Sequence, residues 1–195
     1  GAVDTLRLLL AGVVVAVLLA AVGDLITTFS PEALRARQAF LLGNTGALGW
    51  GSVGWLAAGL AAAGLLALHH ARALDALTLG DDTASSLGIA LPRVRLLMVV
   101  ALSGATALAV SQAGLVAFVG LVAPHIVRRH APGAHRWLLA ASALVGGVLL
   151  LWADLLARAL LAPLELPVGV VTAVLGGLYL YMLLRRQSLA MRGAT

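Results

Sequence analysis

The stretch LLMVVALSGATALAVSQAGLVAFVGLVAP, from Leu96 to Pro124, runs for 29 residues without a charge. Whether it crosses a membrane once or twice decides the topology of everything around it. A helix needs ~20 apolar residues to span a bilayer, so the run is long for one crossing and short for two. Arginine placement discriminates, because Lys and Arg concentrate in cytoplasmic loops. As a single span with Arg7 inside, the run leaves Arg7, Arg72, Arg93, Arg95 and Arg158 inside and the other eight arginines outside. With a turn at Ser111-Gln112-Ala113-Gly114, ten arginines fall inside and only Arg35, Arg37 and Arg158 outside. The second division predicts two crossings. The returning piece, Gly114 to Val127, would then be about 21 Å long at 1.5 Å per residue. That is less than the ~30 Å hydrocarbon core. A half-length helix needs protein cover or an aqueous cavity at its end, and short, broken helices mark transport pathways.

Four further uncharged runs read as helices, roughly Leu6–Thr28, Gly49–Leu68, Trp137–Leu160 and Pro167–Leu184. The whole is predicted to be an all-α, polytopic transmembrane bundle of about six spans, one of them short, forming a single domain over residues 1–195. Composition agrees. Of 195 residues, 62% are hydrophobic and 11% charged, against about 45–50% and about 25% in soluble domains. The mean hydropathy is +1.04.

What is missing narrows the function. The chain has no Cys, which excludes a disulfide framework and a thiol nucleophile. All 13 basic residues are Arg, and a P-loop needs its lysine; if ATP is used, another subunit hydrolyses it. The net charge of +5 is scattered between apolar runs without the basic face that nucleic acid requires. A signal peptide does not explain the first apolar run, because equally apolar runs follow to the end. The chain opens on Gly1 rather than Met, which suggests a piece of something longer.

Against this background the segment ALTLGDDTASSLGI, Ala76 to Ile89, stands out for its acids, hydroxyls and glycines. The topology places it in the longest cytoplasmic loop. Asp81 or Asp82 is suited to cap a short helix, and Gly88 to the left-handed position that ends one. Leu74, Leu77, Leu79, Leu87 and Ile89 supply more apolar side than so short an element can hide. Two readings stand: a docking knob for a partner, or a capped turn packed on its own bundle.

This segment resembles the cytoplasmic coupling segment of the FecCD-type permeases, the membrane subunits of type II ABC importers for iron–siderophore, haem and vitamin B12. The likeness continues through LRLLLAGVVV at 6–15, LPRVRLL at 91–97, GLVAFVGLVAPHIVR at 114–128, ADLLAR at 153–158 and ELPVGVVTAVLGG at 165–177. It implies a type II permease fold of ten spans, of which these six correspond to the fifth to tenth. The first four would be absent, and such a piece is not expected to transport alone. The resemblance further implies a dimer of ABC ATPase subunits, a second permease (identical or not), an extracytoplasmic substrate-binding protein and a multi-pass place in the cytoplasmic (inner) membrane. The chain itself would carry no cofactor, no metal and no catalytic residue.

Carried over by position, the coupling segment is 73–91. Leu77, Gly80, Asp81, Asp82, Thr83, Ala84, Ser85, Leu87 and Gly88 would meet the ATPase cleft. Arg158, with Arg35 and Arg37, would meet glutamates of the binding protein. Thr5 and Leu6 fall at a cytoplasmic gate, where the leucine departs from the small polar residue of some relatives.

Several residues admit plainer roles. Asp154 and Arg158 are one helical turn apart and form a helix-face ion pair by spacing, a pairing that an acid near the membrane interior needs. Glu32 is placed to pair with Arg35 and Arg37. His125, next to Pro124, is expected to hydrogen-bond backbone that the proline frees rather than to relay protons. His69, His70, His130 and His135 lack the paired spacing of a zinc or haem site. Pro167 and Gly169, like Pro124, are expected to be structural. Trp50, Trp55, Trp137 and Trp152 suit interfacial anchoring.

Two other functional classes fit the residues less well. An intramembrane enzyme built on His125 and Asp154 lacks a nucleophile with a placed partner. An ATP-independent channel or secondary transporter would show a charge relay or internal repeats, which are not evident. A non-functional truncated fragment is the remaining alternative.

Overall fold

The computed structural model describes residues 2–46, 48–86, 88–130, 133–160 and 166–192, with backbone alone at 2–5, 8, 81, 82 and 186–192. The chain forms two compact units, Gly1–Leu41 and Leu42–Thr195.

The first unit holds α1, Ala2–Phe29, and α2, Pro31–Leu42. The spanning part of α1 is Leu9–Phe29, and its apolar side chains are exposed around the whole circumference. Helix α2 was not expected from the sequence, although its start signal is present. Ser30 caps it, its Oγ accepting the Ala33 N–H at 3.3 Å. Pro31 follows at the first helical position, where its missing N–H costs nothing. Arg37 on α2 donates through Nη1 to Asp24 Oδ1 on α1, so the acid beside it is Asp24 and not Glu32.

In the second unit the 96–124 run reverses direction. Helix α6, Leu91–Ala113, stops where the turn was predicted, and α7, Val119–His130, returns. Gly114 closes α6 at φ +72°, its N–H donating to Val110 O. The expected return over Gly114–Val127 needs correcting, because residues 114–117 are not helical. They belong to a junction of three chain segments instead. Asn44 N–H donates to Ala113 O at 2.9 Å. A Cβ on Gly169 would lie 2.3 Å from Leu42 O and 2.4 Å from Leu115 O. Those are backbone atoms that cannot rotate away, so only glycine allows the approach. The 12 residues of α7 extend about 18 Å, short of a ~30 Å core.

The other long helices are α3, Trp50–His69, α8, His135–Ala159, and α9, Val168–Arg192, with the short α4, Ala71–Leu77, and α5, Asp81–Ser86, between α3 and α6. Among the described residues five helices are long and apolar enough to span a membrane; with α7 they make up the number of crossings predicted. Their ends agree with expectation to within a few residues, except that α9 runs on to Arg192.

Packing uses small residues. The core is Ala153, Ala157, Val168 and Val171, with Val116, Leu150 and Leu166 against it. Helix α7 lies on α8 where Ala123 Cβ and Val119 Cγ1 come 3.6 Å from the Cβ position of Gly146. Gly176 makes room for Phe118, whose own φ is +66°. Where lipid removes the hydrophobic drive between helices, close approach of this kind supplies the attraction. Thr172, buried among these residues, donates its hydroxyl to Gly169 O at 3.0 Å, which satisfies a group that would otherwise be costly to bury.

Candidate coupling segment and docking surface

Helix α3 ends at His69 and the chain enters α4 within two residues, so the segment that follows is held by a rigid span. On α4, Ala71 and Ala76 are buried. Thr78 closes it, with its Oγ1 donating to Asp75 O at 2.6 Å. Gly80 then turns the chain at φ +106°.

Helix α5 begins at Asp81, which puts Gly80 in the capping position and both acids in the first turn; Ala84 N–H donates to Gly80 O at 3.0 Å. The capping expectation for Asp81 or Asp82 concerns side chains outside the described residues. Gly88, at φ +75°, ends the element as the sequence predicts. Its N–H donates to Ser85 O at 2.9 Å, and Ile89 N–H to Ala84 O at 3.3 Å. These two bonds are the paired closure of a Schellman motif. Pro92 then opens α6.

The segment has an inside and an outside. Ala84 is fully buried, which corrects its assignment to the contact face: it seats α5 on α4 and α6. Gly80, Thr83, Ser85, Ser86 and Gly88 face outward. Leu79 is 68% exposed and joins that face as an apolar member, while Leu74, Leu77 and Ile89 are half-buried. Leu87 lies outside the described residues, as do the side chains of Asp81, Asp82 and Thr5.

The sequence did not reveal what ties this segment down. Asp75 Oδ1 accepts the backbone N–H of His135 at 2.8 Å and lies 2.6 Å from its ring Nδ1. Helix α8 begins after Ala134, which has no capping side chain, so a carboxylate 60 residues away satisfies its first N–H. The missing local cap in Gly133-Ala134-His135 was the one signal available. The backbone hydrogen bond from His135, followed by that from its ring, holds the Asp75 carboxyl below the usual carboxylate range. Its folded value is depressed, so the contact is intact at neutral pH and is lost only as pH falls through that low value.

At the far end of α8, Arg158 Nε donates to Asp154 Oδ2 at 2.9 Å and its Nη2 to Oδ1 at 3.3 Å. The expected pair is present. Thr45 adds a hydroxyl donor to Asp154 Oδ1. Arg158 remains about half-exposed. In the first unit Arg35 and Leu6 are exposed.

His125 departs from expectation. Its ring packs edge-on against Tyr179, centroids 6.0 Å apart, and among the described residues it makes no hydrogen bond to backbone. A cavity of about 270 Å³ lies beside it, lined by Phe118, Val122, Leu149, Leu175 and Tyr179. It offers no charged group to a ligand. Among the described residues no three His, Asp or Glu side chains come together to hold a metal.

Comparison with known proteins agrees with these features. Residues 1–186 match the FecCD transport family. The chain is 41% identical over 184 residues to the hemin transport system permease protein HmuU of Yersinia pestis, covering 93% of this chain and 54% of that one. It is 40% identical over 187 residues to the ferric enterobactin transport system permease protein FepG of Escherichia coli, covering 95% and 56%. The chain thus spans about half the length of these relatives. A chain described as a metal-chelate type ABC transporter, solved in an inward-facing conformation, superposes with a TM-score of 0.83 at 26% identity, over 91% of this chain and 58% of that one. With the match running through the broken α6–α7 pair, the α4–α5 segment and the α8 ion pair alike, the chain belongs to the FecCD transport family.

Proposed function

We propose that this chain is part of the permease subunit of a binding-protein-dependent ABC importer. It moves an iron–siderophore, haem or cobalamin across the cytoplasmic membrane, and a separate pair of ATPase subunits drives it. The observation that carries the reading is α5. It is closed at both ends by glycines with positive φ, seated by buried Ala84, and presents Thr83, Ser85 and Ser86 outward, with exposed Leu79 in the turn just before it. A six-residue helix on a rigid base, with a polar rim and an apolar member, is shaped to enter a cleft. These residues have no lysine to complete a P-loop, so ATP would be hydrolysed by a partner.

Arg158 would receive an acidic group of the binding protein; Arg35 and Arg37 of the first unit are proposed, separately, to meet the same protein. A second permease completes the path, lined in part by α1 with Thr5 and Leu6 at its inner end. Proteoliposomes containing the permease, its ATPase and its binding protein test this reading. Haemin, a ferric siderophore and cobalamin are offered in turn, and one is expected to accumulate only when ATP is supplied on the ATPase side. Uptake of the same size without ATP would favour a channel or secondary transporter.

A further inference from the structure

The contact between Asp75 and His135 joins the two ends of the proposed mechanism. Asp75 is on α4, immediately before the turn into α5. His135 is the first residue of α8. One carboxylate oxygen receives both the backbone N–H and the ring nitrogen of His135, so it fixes the position of the helix end and the orientation of its first side chain together. Helix α4 packs through small residues, Ala71 and Ala76, both buried. Helix α8 has 25 residues and extends about 37 Å. Asp154 and Arg158 lie in its last two turns, where Thr45 braces the acid.

We propose that the Asp75–His135 contact is the rigid link through which displacement of the α4–α5 segment is passed to α8, and along it to the Asp154–Arg158 end. Asp75 is a positioning residue. Its part is to make the coupling segment and the N-terminus of α8 move as one body. A merely adjacent pair of helices would slide, since small apolar contacts resist translation weakly. A carboxylate shared between a main-chain and a ring donor does not permit that slide without breaking both bonds. The inference rests on reading α4–α5 as the ATPase-docking segment.

These 195 residues contain no cysteine, so one introduced here, in a permease with any other cysteine replaced, supplies the test. In the permease assembled with its ATPase, Leu160, exposed at the end of α8, is replaced by cysteine. Its labelling rate by a membrane-impermeant maleimide is measured with and without trapped ATP. In parallel, Ser85→Cys reports docking by cross-linking to the ATPase cleft. The wild-type background is expected to show a nucleotide-dependent labelling rate. In Asp75→Ala that dependence should shrink at least about twofold, within the 2- to 30-fold by which single residues alter coupling, while the Ser85 cross-link persists. Asp75→Asn keeps an oxygen acceptor for the His135 N–H and should restore it, which a loss of folding would not allow. Where Asp75→Ala does not assemble, Asp75→Ser, whose hydroxyl is too short to reach, takes its place under the same criterion.

An intact cross-link with wild-type nucleotide dependence in Asp75→Ala overturns the link, as does equal loss in Asp75→Asn. Labelling that ignores nucleotide in the wild type overturns it too. No Ser85 cross-link in the wild type sinks the docking reading and the link together.

Discussion

Replacing Ala84 with aspartate is expected to abolish ATP-driven uptake while the permease remains folded in the membrane. Ala84 is completely buried on the inner side of α5, the six-residue helix to which it belongs. An unpaired charge forced into such a place costs about 3–5 kcal/mol. The spans are held by far larger contacts, so the cheapest relief is for α5 to leave its seat. At about 1.4 kcal/mol per tenfold, the population with α5 correctly presented falls by more than about 100-fold. ATPase subunits should then fail to co-purify. Ala84→Ser, which adds one hydroxyl able to bond to the helix backbone, should retain most of the activity. Normal uptake by Ala84→Asp would mean that α5 does not need its seat and is no docking element.

The second large effect is expected at the other face. Arg158→Gln removes the positive charge but keeps an N–H₂ donor for Asp154, so the bracing of the α8 end by Thr45 and Asp154 survives. Docking of an acidic binding protein should weaken by about tenfold, or about 1.4 kcal/mol. The loss appears as a higher binding-protein concentration for half-maximal uptake, not a lower maximum. Because half-exposed charges act mainly on association and are screened by salt, the gap should narrow as ionic strength rises. An unchanged concentration dependence would remove Arg158 from the docking surface. A collapsed maximum would instead assign it a structural role beside Asp154.

Much of this architecture could be read from charge alone. Counting arginines on either side of Leu96–Pro124 located the reversal to within a residue or two of Gly114, because the energetic asymmetry between leaflets is written in the loops. Helix ends of the long spans followed from hydropathy for a similar reason. The start of α7 was misplaced since residues 114–117 are as apolar as a helix would be; what keeps them extended is the meeting of Gly43, Leu115 and Gly169, a three-body contact with no local signature. Helix α2 has its start signal in Ser30-Pro31-Glu32, but its low hydropathy gives no spanning signal by which to read it.

The candidate site divides in the same way. Gly88 was legible, as only a few residue types tolerate its φ. Ala84 was placed on the wrong face because a helix of six residues is too short to show a period. Asp75 and His135 were overlooked because their pairing spans 60 residues and neither position is unusual by itself. Local chemistry is visible in a sequence, whereas the partner of a lone acid is a property of the fold.

Disulfide trapping between a cysteine at Ser85 and one in the cleft of the candidate ATPase, in membranes with and without ATP, tests the central claim most directly. A cross-link that forms readily and changes in yield with nucleotide is the predicted result, since α5 should sit in a cleft that closes on ATP. A folded, assembled complex in which Ser85→Cys never cross-links, yet reacts freely with a soluble maleimide from the cytoplasmic side, would contradict the account.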